Sequence, residues 1–133
     1  DLDTEQGPFI IPTTSPVQFD PEALHDSIDR LLALEPEAMY LTHYGRVEPV
    51  ERLAADLHAQ IDAMVELALE ADGQPDRYHQ LRAALAELYF SRAQAHGWTK
   101  GREALEALAL DMDITLNTQG LEIWLDNRRR PRD

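Results

Sequence analysis

The chain has 133 residues, 44% of them apolar and 28% charged, and its 25 acidic and 12 basic side chains leave a net charge of −13. That is enough chain for one core and too little for two independent ones, and the acidic excess argues against nucleic acid or an anionic membrane as partner. With no cysteine, disulfides and thiolate nucleophiles or metal ligands are excluded and a reducing, cytoplasmic setting is expected. No apolar run approaches the roughly 20 residues that span a bilayer, and no signal-type segment opens the chain.

In chain order, Gly7-Pro8-Phe9-Ile10-Ile11-Pro12-Thr13-Thr14-Ser15-Pro16 cannot be helical, because each proline removes a backbone donor and restricts the residue before it. At most Phe9 to Ile11 forms a short edge strand. Asp20-Pro21-Glu22 is a helix start, with an Asp cap, a proline at the first helical position and an acid in the first turn. Leu24, Ile28, Leu31 and Leu32 then recur at helical spacing up to Glu35-Pro36.

Ala38 to Thr42 is strand-like, and it delivers His43 to a strand end before Gly45, where a sharp exit into a following helix is expected. Val47, Val50, Leu53, Ala54, Leu57, Ile61, Met64, Val65, Ala68 and Leu69 make a long helical stripe, closed by Gly73 and Pro75. A second helix over Asp76 to Ala95 carries Tyr78, Leu81, Leu85, Leu88, Tyr89 and Arg92. A further helical region carries Leu105, Leu108, Met112, Leu116, Ile123 and Trp124, with a break near Leu110-Asp111. Gly120 weakens it by about 1 kcal/mol relative to alanine.

These features predict a mostly α protein with at most one short strand pair, in which three helices after residue 46 pack as an antiparallel bundle. The strand-like pieces of the first 45 residues read as parts of a larger α/β layer, because an isolated strand or ribbon is marginal in water. The tail Arg128-Arg129-Arg130-Pro131-Arg132 reads as a solvated basic terminus, and Trp98 and Trp124 read as core residues. His25, His58, His79 and His96 read as surface or capping residues, since none belongs to a His-Glu-x-x-His pattern. No Gly-x-Ser-x-Gly elbow or phosphate loop occurs, and no internal repeat stands out.

Pro12-Thr13-Thr14-Ser15-Pro16-Val17-Gln18-Phe19-Asp20, Ser27-Ile28-Asp29-Arg30 and Tyr40-Leu41-Thr42-His43-Tyr44-Gly45 together resemble the C-terminal part of a metallo-β-lactamase-fold hydrolase. Leu116-Asn117-Thr118-Gln119-Gly120-Leu121 resembles the closing helix of one branch of that family. The resemblance implies that residues 1–45 are the loop, helix and strand ending an α/β core and that 46–133 form a helical C-terminal subdomain. It also implies a zinc or iron centre in the whole enzyme, with His43 as one metal ligand, and hydrolysis of an ester, thioester or related bond by metal-activated water.

The family's His-x-His-x-Asp-His cluster, its middle histidine and its bridging aspartate have no counterpart among these residues. A catalytic zinc takes about three protein ligands, so one imidazole makes no site. The chain by itself is therefore expected to be non-catalytic, with no catalytic residue of its own and no tightly bound metal. Its expected partner is the missing N-terminal half of the fold, or a second copy of itself. The alternative reading is an acidic helical interaction or dimerisation module built on the Val47 to Leu69 stripe.

Overall fold

Proline and glycine spacing decides the first part of the chain. Pro8 and Pro12 keep it extended, and Gly7, at φ +98°, lets it turn back on itself. In the computed structural model, which describes residues 2–14, 16–42, 45–107 and 111–130, strands β1 (Leu2–Thr4) and β2 (Gly7–Phe9) form an antiparallel hairpin with Leu2 opposite Phe9. The single edge strand expected at Phe9 to Ile11 is corrected by this pairing, which ends at Phe9.

Helix α1 (Pro21–Leu32) begins as its sequence dictates. The Asp20 carboxylate accepts the Ala23 N–H at 3.1 Å, and proline occupies the first turn. No residue of α1 is fully buried. Leu24, Ile28 and Leu32 are half covered, while Leu31 is 47% exposed.

A second antiparallel hairpin follows, β3 (Met39–Leu41) with β4 (Gly45–Val47), pairing Met39 with Val47 and Leu41 with Gly45. Two strand pairs thus replace the one expected. Gly45, at φ +80°, begins a return strand and not a helix, so Val47 belongs to β4 and the long stripe starts later, at Val50.

The bundle has the expected three long helices, α2 (Val50–Ala71), α3 (Arg77–Ala95) and α5 (Asp111–Arg129), with the short α4 (Arg102–Leu105) between the last two. Each long helix packs against the other two, and α1 lies on α2. The main core joins Met64 and Ala68 of α2, Leu81, Leu85, Tyr89 and Ala93 of α3, and Ile114, Leu121 and Leu125 of α5. Phe9 and Trp98 close it, and Trp124 packs half-buried on its rim beside Phe19. A smaller cluster of Ile10, Val47 and Leu53 seats the second hairpin. Residues from both sides of position 45 therefore share each cluster.

The stripe expected on the last helix is corrected. Met112 is 68% exposed and Leu116 39%, whereas the buried face runs through Ile114, Asn117, Thr118, Gly120, Leu121 and Leu125. Two polar residues and a glycine occupy this face, so apolar periodicity picked the wrong register. No helix of the described residues is long and apolar enough to cross a membrane.

Candidate functional site

His43 and Tyr44, the residues on which the metal-ligand expectation falls, lie outside the described residues. Their flanks are described. Met39, Leu41 and Val47 turn one face of the β3–β4 hairpin toward α2, and Tyr40 on the other face is 78% exposed. Beneath the hairpin, Ile28 and Leu32 of α1, Met39, Val47, Val50 and Leu57 help line an apolar cleft of about 100 Å³.

The two outlying segments quoted for the resemblance meet in space. The Asn117 Oδ1 accepts the Thr14 N–H at 2.9 Å, and the Asn117 amide donates to the Pro12 carbonyl at 2.9 Å and to the Tyr89 hydroxyl at 2.8 Å. Asn117 and Thr118 have no exposed surface, so hydrogen bonding is what makes their burial tolerable. Tyr89 in turn donates to the Met64 sulfur at 3.3 Å, and burial pushes its phenol well above the usual range. Gly120 completes the junction: a Cβ there would lie 2.1 Å from the Thr14 hydroxyl.

The structure corrects the surface reading for His25 and His58, whereas His96 is the C-cap of α3, in keeping with a capping reading. His25 on α1 and His58 on α2 meet with their Nδ1 atoms 2.5 Å apart. His25 Nε2 lies 2.8 Å from the Asp62 carboxylate and His58 Nε2 2.9 Å from that of Asp29. The ring planes are 15° apart with centroids at 4.8 Å. A face-to-face stack could not bring two ring nitrogens so close, because parallel faces stay a van der Waals thickness apart. The 4.8 Å is instead the nitrogen contact plus one ring radius at either end, so the imidazoles meet edge to edge, nearly coplanar.

His96, at the end of α3, holds the first hairpin. The Arg52 guanidinium donates to its Nε2 at 2.6 Å and to the Pro8 carbonyl at 2.9 Å. Its Nδ1–H therefore donates to the Thr4 hydroxyl at 2.8 Å. With its ring proton committed to Thr4 and its other nitrogen to Arg52, this array anchors β1–β2. His79 is exposed, as its surface reading expects.

Sequence reasoning missed the His25–His58 cluster, although a signal was available. The hexad Leu-His-x-x-Ile-Asp occurs at Leu24–Asp29 and again at Leu57–Asp62, with the histidines 33 residues apart. On a helix, His and Asp at i and i+4 share a face. Two such faces laid antiparallel give each histidine the other helix's aspartate. Among the described residues no three His, Asp or Glu side chains gather as a metal-binding group; the arrangement offers two facing nitrogens with a carboxylate behind each. Against known protein families, curated proteins and solved structures, the chain has no match.

Proposed function

We propose that this chain is the C-terminal segment of a metal-dependent hydrolase of the metallo-β-lactamase superfamily, to which it contributes His43 as one ligand of a zinc or iron centre. The Leu41-Thr42-His43-Tyr44-Gly45 resemblance carries this reading. It is supported by the incompletely covered layer around that stretch. The β3–β4 ribbon has two strands and α1 buries no residue fully, which is the state expected of a sheet remnant and a covering helix whose neighbouring strands lie in another part of the protein. The Thr14–Asn117 junction ties the loop before α1 to the last helix, and both segments are among those quoted for the resemblance.

In this role α2, α3 and α5 form a rigid wall beside the metal centre. When bound, a metal held by His43 and by ligands from the N-terminal half of the fold would supply a water of lowered pKa and a Lewis acid for the scissile carbonyl. The isolated chain hydrolyses nothing.

The coding sequence upstream of Asp1 tests the proposal, which requires a His-x-His-x-Asp-His cluster there; its absence refutes it. In the full-length protein, His43→Ala is expected to lower bound metal per chain, read by elemental analysis, and to abolish ester or thioester hydrolysis. Unchanged metal content and activity would dismiss His43 as a ligand. The second reading, an acidic docking or dimerisation module, is favoured by the exposed Leu34 and Tyr40 and by Leu31 at the apolar cleft.

A further inference from the structure

Each Nε2 of the His25–His58 pair faces a carboxylate oxygen, at 2.8 and 2.9 Å. A carboxylate only accepts, so each Nε2 carries the ring proton and a neutral imidazole in this tautomer leaves Nδ1 as a bare lone pair. The edge-to-edge geometry aims those two lone pairs at each other across 2.5 Å. Two bare lone pairs repel at that distance, and a positive charge between them removes the repulsion. The carboxylates behind the rings match the outer arrangement typical of metal-bound histidine, in which an acid or carbonyl accepts the distal N–H, fixes the tautomer and makes the ligating nitrogen more basic.

We propose that His25 and His58 form a two-nitrogen site for a late first-row divalent cation, bound through both Nδ1 atoms, with Asp62 and Asp29 orienting the rings. Imidazole pairs favour this class of ion, and Cu²⁺ binds tightest at a given nitrogen site. Metal–nitrogen bonds of about 2.0 Å set trans nitrogens about 4 Å apart and cis nitrogens about 3 Å apart, so on loading the rings either part along their common line by about 1.5 Å or part by about half an ångström and turn their lone pairs toward the ion. The histidine side chains are 24% and 26% exposed, which leaves room for that shift and lets water complete the coordination. By helical spacing Glu22, three residues before His25, and Glu66, four after Asp62, add acidic charge to the two paired aspartates, with Arg30 next to Asp29 the opposing base on α1. The bound ion bridges α1, which has no fully buried residue, to the bundle. This site is separate from His43 and does not depend on the hydrolase proposal.

Titration of the 133-residue chain with Cu²⁺ in the presence of glycine as a weak competitor tests the site. The expected result is one ion per chain, with electron paramagnetic resonance showing nitrogen ligation and paramagnetic broadening of amide signals centred on residues 25 and 58. His25→Ala and His58→Ala are each expected to lower affinity at least 10-fold, and Asp29→Asn and Asp62→Asn about 10- to 100-fold, while His79→Ala leaves it unchanged. Broadening centred elsewhere in the unsubstituted protein, or no stoichiometric uptake, overturns the proposal without requiring that any variant fold. A far-downfield imidazole proton that persists in excess Cu²⁺ also overturns it, because a proton then holds the place assigned to the metal.

Discussion

Gly120→Ala sets two rules against each other. In an exposed helix interior the change gains about 1 kcal/mol of helix propensity. In α5 the added Cβ would stand 2.1 Å from the Thr14 Oγ1, 2.7 Å from its Cβ and 3.1 Å from its carbonyl oxygen. Thr14 is 3% exposed and cannot swing into solvent without surrendering its N–H bond to Asn117 Oδ1, at 2.9 Å, and its hydroxyl bond to the Asn117 carbonyl, at 3.2 Å. Each such bond contributes about 1 kcal/mol, and a buried partner left unpaired costs about 1–3 kcal/mol more. Two lost bonds and one orphaned acceptor outweigh the propensity gain, for a net destabilisation of about 2–4 kcal/mol.

Urea unfolding followed by circular dichroism measures it. The midpoint should fall at unchanged slope. In a Thr14→Gly background, which removes the two closest side-chain atoms, Gly120→Ala should be much less damaging, a non-additivity expected of residues in contact. If Gly120→Ala is as stable as the parent, the close packing of residues 12–14 on α5 is wrong.

Two further outcomes follow from groups the fold leaves uncomfortable. Burial raises the Asp113 carboxyl above its ordinary range, so the native state holds that proton more tightly than the unfolded chain; ionisation at neutral pH reduces stability, and the loss is relieved as pH falls through the raised value. Asp113→Asn is expected to raise the thermal midpoint at pH 7 and to lose that advantage near pH 3, whereas an equal gain at both would show that charge is irrelevant there. Self-association is expected through the half-covered α1 and β3–β4 face, where Leu34 is 76% and Tyr40 78% exposed. Analytical ultracentrifugation should show concentration-dependent dimers that Tyr40→Glu weakens, and a strict monomer at high concentration would rule this out.

Most helix ends are legible in the sequence because their signals are local, the start of α2 excepted, where Gly45 opens a return strand and the helix begins only at Val50. The Asp20-Pro21 start, the Gly73-Pro75 stop and the stripe through Leu53, Ile61, Met64 and Ala68 need no partner to be read. Which face of the last helix is buried is set by packing, since Asn117, Thr118 and Gly120 look like surface residues until Pro12, Thr14 and Tyr89 are brought beside them across the fold. The same holds for the histidines. Leu-His-x-x-Ile-Asp written twice is unremarkable along the chain, and only the antiparallel meeting of α1 and α2 turns it into two imidazoles edge to edge with an aspartate behind each. A side chain's own chemistry sets what it can donate or accept, but the distance to its partner is a property of the fold.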